Sequence, residues 1–172
     1  MASNHFDDQG NVHMVDVSGK PDTHRVATAA SEIVMNAAAA ATVRQGSGRK
    51  GDVLAVARIA AIGATKWTAH LIPLCHAIPI ESVKVDFQWL PSDPQTADGP
   101  ESDPIEHRLQ CRVTCRTTGK TGIEMEAMTG ASLGTLAIYD MLKSVDRQMR
   151  IGPTRLLEKR GGASGDFLAS PS

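Results

Sequence analysis

The sequence predicts an α+β domain in which helices cover one face of an antiparallel sheet. Three observations carry that expectation. Two Ala-rich stretches have apolar residues at helical spacing, two later stretches alternate strictly between apolar and polar, and a third helical stretch follows them. Strict alternation means one covered sheet face and one wet face, which an antiparallel sheet tolerates and a parallel one does not.

The elements follow in order. Pro21, Asp22 and Thr23 read as a turn with a capping residue. From Arg25 to about Arg44, Val26, Ala30, Ile33, Ala37 and Ala41 recur every three or four residues, which predicts a first helix ended by Gly46, Ser47 and Gly48. Asp52 is placed to cap a second helix that Pro73 ends. Val53, Val56, Ala60 and Ala64 form its apolar stripe, with Arg58, Lys66 and His70 on another face. The period then changes to two. Val83, Val85, Phe87 and Trp89 define one strand, and Leu109, Cys111, Val113 and Cys115 a second. Between them 91–104 is rich in proline, aspartate and serine and is expected to be a mobile hairpin loop. A third helix is expected from about Ala127 to Val145, and the segment from Arg155 to Phe167 is basic and glycine-rich. A short strand is expected near each end of the chain.

Length and composition bound the function. At 172 residues the chain is expected to form a single domain, with 1–13 and 168–172 flexible. A net charge of −1 disfavours a globally basic nucleic-acid binder, and 3% aromatic residues disfavour an RNA-stacking platform. Three cysteines do not make a secreted disulfide scaffold. The first twenty residues contain no apolar signal segment, and the apolar run Val53 to Ala64 is too short to span a membrane. A cytoplasmic protein without membrane or nucleic-acid partners is the expectation.

Several residues could carry chemistry. Asp140 and Lys143 lie three apart on the expected third helix and so project from one face. They are either a surface ion pair or an acid/base pair in a shielded cleft. Glu124 and Glu126 flank Met125 and, if extended, point to one side. They either bind donors such as guanine N–H groups, act as acid and base, or are only the solvated end of a strand. Gly119, Lys120, Thr121 and Gly122 echo the end of a phosphate-binding loop, but Thr114 stands where that pattern requires its first glycine, so the segment reads as a turn. Cys75 and His76 are adjacent in a loop, with no orienting third group. Cys111 and Cys115 share the apolar strand face and read as buried thiols rather than zinc ligands. Lys50 precedes the second helix, and Lys159 and Arg160 precede a glycine-rich turn, each a candidate anion site. Together Arg25, Lys50, His76, Lys120, Lys143 and Lys159 could converge on a polyanion. Surplus small apolar surface on the helices gives a motive for association.

The motifs MVDVSGKP at 14–21, KGDVLAVARIAAIGATK at 50–66, LIPLCHAIPI at 71–80, TGKTGIEMEAMTG at 118–130, IYDMLKSVD at 138–146 and IGPTRLLEKRGGASGDF at 151–167 stand in this order. In that set the chain resembles the MoaC family, the cyclic pyranopterin monophosphate synthases of molybdenum-cofactor biosynthesis. The resemblance implies a ferredoxin-like subunit in a homo-hexamer, a trimer of dimers, with sites at subunit interfaces. It implies conversion of 3′,8-cyclo-7,8-dihydro-GTP to cyclic pyranopterin monophosphate with release of pyrophosphate, downstream of a radical enzyme that supplies the cyclised nucleotide. No cofactor is implied, although Mg²⁺ could accompany the triphosphate. By resemblance Asp140 is the catalytic acid/base and Lys143 its partner. Leu74, Cys75, His76, Glu124, Met125, Glu126, Lys50, Lys159 and Arg25 match substrate-binding positions. Ala77 and Ala163 depart from the family pattern, where proline and lysine are common. A non-catalytic nucleotide-binding subunit would keep Lys50 and Lys159 without needing Asp140 and Lys143, and a zinc-dependent hydrolase would need metal.

Overall fold

The computed structural model describes residues 5–46, 51–91 and 106–170. Three helices pack on a five-stranded antiparallel sheet. Strand β1 spans Thr23–Met35, helix α1 Ala37–Gln45, helix α2 Val53–Leu71, strand β2 Ser82–Leu90 and strand β3 His107–Gly119. Helix α3 spans Glu124–Leu142, strand β4 Arg150–Arg160 and strand β5 Phe167–Leu168. The strand order is β2-β3-β1-β4-β5, and every pairing is antiparallel. The loop expected at 91–104 lies, apart from Pro91, outside the described residues.

The first expected helix is corrected. Residues 23–35 form the central strand, and only 37–45 are helical. Ala27, Ala29, Ser31 and Ile33 face the helices, while Thr28, Ala30 and Glu32 lie on the other face yet are also buried. A central strand whose residues are buried on both faces loses its alternation and reads as a continuous small-apolar run, in which a helical spacing arises by coincidence. The helix begins where Asn36 accepts the Ala39 N–H through its side chain, and it ends at Gly46 in the left-handed region. The short strand expected near the C-terminus is the two-residue β5, and the eleven-residue β4 that precedes it was not expected.

The other elements stand where expected, with shifted ends. The Asp52 carboxylate caps α2 by accepting the N–H groups of Leu54 and Ala55. The buried face of α2 is Val53, Ala57, Ala61, Ala64, Thr65 and Thr68, so Val56 and Ala60 are not part of it. Helix α3 starts one turn earlier than expected, which puts Glu124 and Glu126 in its first turn rather than on an extended segment. Helices α2 and α3 approach closely through Gly130 and Gly134. An added methyl on Gly134 would sit 2.6 Å from Cys111 Sγ, and one on Gly130 would sit 2.8 Å from Thr65 Cγ2.

The core has two parts. Ile33, Met35, Val53, Leu109, Ile138 and Leu142 fill one end, and Ala27, Val85, Val113, Cys115, Ile123 and Ala127 fill the other. Helix α2 therefore begins over the end where α3 finishes and finishes near the end where α3 begins.

Candidate active site

One large pocket opens at the end of the domain where α3 starts, with a volume of about 1410 Å³. Four segments build it: the N-terminal stretch from Val15 through Pro21 into the start of β1 at Thr23 and Arg25, the loop after α2, the β3–α3 turn with the first turn of α3, and the end of β4 with its glycine-rich turn. Of the eleven residues expected in the site, Arg25, Leu74, Cys75, His76, Glu124, Met125, Glu126 and Lys159 line it. Lys50 lies outside the described residues.

Each side chain is held by a local reason. The chain breaks from α2 at Ile72, and a turn closed by the Cys75 N–H on the Ile72 carbonyl presents Leu74, Cys75 and His76. His76 Nε2 donates to the Val15 carbonyl at 2.8 Å, since a carbonyl oxygen can only accept. Lys120 Nζ donates to the Ser18 carbonyl at 2.7 Å, so the N-terminal stretch is tied down on both sides of the pocket. Arg25 Nε donates to the Gly119 carbonyl at 3.4 Å. At the far wall, Gly161 and Gly162 have φ of 86° and 88°, and a side chain there would run into the His24 carbonyl and the Arg25 guanidinium. Glycine is what lets this turn press against Arg25. Lys159, on β4, donates to Ser164 and stands 3.5 Å from Glu124.

The electrostatics are mixed in a useful way. Lys20, Arg25, Lys120 and Lys159 supply positive charge around the cavity, and Glu124 and Glu126 sit together at its inner end. Glu126 is only 3% exposed, and burial pushes its carboxyl up from 4.5 to about 7, with the Glu124 charge adding to the shift. Burial also raises the Cys75 thiol, and the Glu126 charge raises it further. A thiol held in that form is a poor nucleophile. Burial pushes Cys111 and Cys115 up to about 12, as inert core thiols. Among the described residues no cluster of three histidine, cysteine, aspartate or glutamate side chains could hold a metal ion. The Gly119–Gly122 segment is a turn on the pocket rim that contributes Lys120, Thr121 and Gly122 to the lining.

Asp140 and Lys143 are not in this pocket. Their ion pair is formed, Lys143 Nζ to Asp140 Oδ1 at 2.6 Å, at the opposite end of α3 and well exposed. From Glu126 to Asp140 the helix runs about 21 Å at 1.5 Å per residue. Within one chain the two groups of residues do not meet. Lys20 lines the pocket and was not among the expected site residues, although it lies in the MVDVSGKP motif, where a lysine before proline was the available signal.

Residues 14–162 match the model of the MoaC family. The chain belongs to the MoaC family. It is 55% identical over 165 residues to a cyclic pyranopterin monophosphate synthase of Rhodopirellula baltica, covering 96% of this chain and 92% of the relative. It is 48% identical over 164 residues to the protein of the same name from Desulforamulus reducens, covering 95% and 92%. A solved aminobenzoyl-glutamate utilization protein from Klebsiella pneumoniae aligns with a TM-score of 0.27 at 15% identity over 89% of this chain and 33% of that one, and carries no argument. In this MoaC-family chain the pocket is lined from four of the six motifs, 14–21, 71–80, 118–130 and 151–167. The motif at 50–66 forms most of the helix that leads into the Cys75 loop. The motif at 138–146 stands apart, at the other end of α3. No helix among the described residues is long and apolar enough to cross a membrane.

Proposed function

We propose that the chain is a cyclic pyranopterin monophosphate synthase of molybdenum-cofactor biosynthesis. It converts 3′,8-cyclo-7,8-dihydro-GTP to cyclic pyranopterin monophosphate, with release of pyrophosphate. The observation that carries the reading is the single pocket in which Arg25, His76, Glu126 and Lys159 meet from four separate segments. Identity above one half to a relative of that name, over nearly the whole of both chains, supports the same activity.

The pocket's residues divide the work by charge. Arg25, Lys120 and Lys159 are suited to a triphosphate, whose charge needs several cations and whose oxygens take charge-assisted hydrogen bonds. The cyclic phosphate forms when a ribose-derived hydroxyl attacks the α-phosphorus. The bond from that phosphorus to the bridging oxygen breaks, and pyrophosphate leaves with the electron pair. Cations around the departing pyrophosphate stabilise the charge that develops there. Glu124 and Glu126 suit the purine-derived ring and its N–H groups. Glu126, titrating near neutrality, can give or take a proton as the ring opens and recloses.

Asp140 and Lys143 are the acid/base pair in this reading, donated by a neighbouring copy in a homo-hexamer built as a trimer of dimers. Their exposure and their distance from the pocket of their own chain support donation across an interface. The succession β1, α1 with α2, β2, β3, α3, β4, with β1 and β3 central, supports the ferredoxin-like description of the subunit. Free thiols at Cys75, Cys111 and Cys115 fit a cytoplasmic enzyme working beside the radical enzyme that makes its substrate.

Incubation of the purified protein with the cyclised nucleotide tests the reading. Release of pyrophosphate together with the cyclic phosphate product is expected. Tight binding of substrate without release would instead identify a carrier subunit.

A further inference from the structure

The glycine-rich turn after β4 is pinned in one shape, and the side chain that pins it stands outside the pocket. Gly161, Gly162 and Gly165 have φ of 86°, 88° and 72°. Glycine gives up more conformational freedom on ordering than any other residue, so a turn built on these three holds one shape only where bonds enforce it. Two bonds do so. Asp166 Oδ1 accepts the Gly161 N–H at 3.0 Å, and the Gly162 carbonyl accepts the Gly165 N–H at 3.1 Å. Beyond the turn the chain returns beside β4, with Phe167 opposite Lys159 and Leu168 opposite Glu158. Both residues of that short strand are exposed, so it is a weak clasp by itself.

The turn holds the cationic wall of the pocket. Ser164 accepts a hydrogen bond from Lys159 Nζ. Gly162 leaves no room for a side chain beside the Arg25 guanidinium, whose Nε donates to the Gly119 carbonyl. Gly162, Ala163 and Ser164 line the pocket, and Asp166 does not. Asp166 is exposed and forms no ion pair among the described residues. A carboxylate without a cation, next to a site that takes a polyanion, repels the ligand. On charge alone the residue works against binding. Its acceptor oxygen is what the turn uses.

We propose that Asp166 is a positioning residue for polyanion binding: by holding the Gly161 N–H it keeps the 161–165 turn in the shape that sets Lys159 and Arg25 for phosphate groups. Without the acceptor the turn opens into alternatives, and Ser164 no longer meets Lys159. Only the molecules with the turn closed then bind at full strength, and the apparent affinity falls by that fraction. That the polyanion is a nucleotide triphosphate rests on the function proposed above; the brace itself rests on the turn.

The full chain is compared as wild type, Asp166→Ala and Asp166→Asn, the last of which keeps an acceptor oxygen and loses the charge. Titration calorimetry with inorganic tripolyphosphate reads binding apart from catalysis. Alanine is expected to weaken binding about tenfold, the effect of losing one net hydrogen bond from the closed turn. Asparagine is expected to bind at least as well as wild type, because the acceptor stays and the repulsion goes. Tighter binding by both variants would mean that Asp166 acts through charge alone. Lower melting temperatures with unchanged binding would mean a role in folding alone. Either result overturns the brace, as does a wild-type chain with no measurable affinity for tripolyphosphate. Hydrogen exchange on the wild-type chain does not depend on whether the alanine variant folds. The Gly161 amide is expected to be protected, and exchange at the rate of an open loop overturns the proposal. With the cyclised nucleotide, Asp166→Ala is expected to raise KM about tenfold and to leave kcat nearly unchanged. A fall in kcat at constant KM also overturns it. Failure of the enzymatic reading looks different: tripolyphosphate binding follows the expected order among the three forms, yet wild type releases no pyrophosphate.

Discussion

Lys159 Nζ stands 3.5 Å from Glu124 Oε1 across the inner end of the pocket, with both side chains largely shielded from water. One partner lies at the end of a strand and the other in the first turn of a helix, thirty-five residues earlier in the chain. Lys159 is held in place by Glu124 and Ser164, and in the proposed function it is a lysine ready to receive a phosphate. Hydrogen bonds to charged groups contribute about 1.5–3 kcal/mol. Lys159→Ala is therefore expected to raise KM about 10–100-fold, with a smaller change in kcat. Steady-state kinetics of pyrophosphate release measure both.

The Asp140–Lys143 pair is exposed, so it contributes at most about 1 kcal/mol to stability. Asp140→Asn and Lys143→Ala are expected to melt close to wild type while losing about 10²–10⁴-fold in turnover, the range for positioned proton transfer. A purely structural ion pair would move neither quantity. Thermal melts beside single-turnover rates separate the two.

Glu126 makes stability depend on pH. Its carboxyl holds a proton more tightly folded, at about 7, than at its ordinary 4.5. The folded state is therefore favoured most at low pH, and that advantage is lost as pH rises from about 4.5 through 7. The full effect is about 3 kcal/mol, and Glu126→Gln removes it. Urea melts across this range are expected to show the glutamine variant gaining on wild type as pH rises. Parallel curves would place Glu126 in a more polar setting than its burial indicates.

Gly134→Ala puts a methyl 2.6 Å from Cys111 Sγ and 3.4 Å from Ala61 Cβ. Overpacking of this kind costs about 1–3 kcal/mol. Cys111→Ala in the same chain is expected to recover part of the loss, a non-additivity that a double-mutant cycle on melting temperature reads directly. Additive losses would mean that the helix shifts as a whole instead of pressing on the thiol.

Local periodicity and capping determined much of this protein. Asp52 announced α2, alternation announced β2 and β3, and the motif order pointed to the residues of the pocket. Gly46 and Asn36 bracket a helix that the sequence pattern made too long, because residues on both faces of β1 are buried and it carries no alternation to betray it. The position of Val56 on α2 was ambiguous for a related reason: a second apolar stripe beside the buried one looks the same in one dimension. Only the tertiary structure decided that Arg25, His76, Glu126 and Lys159 share a cavity while Asp140 and Lys143 stand at the other end of α3. Spacing along a helix fixes which residues share a face. Which end of the domain that face meets, and whose pocket it serves, depends on how whole elements pack.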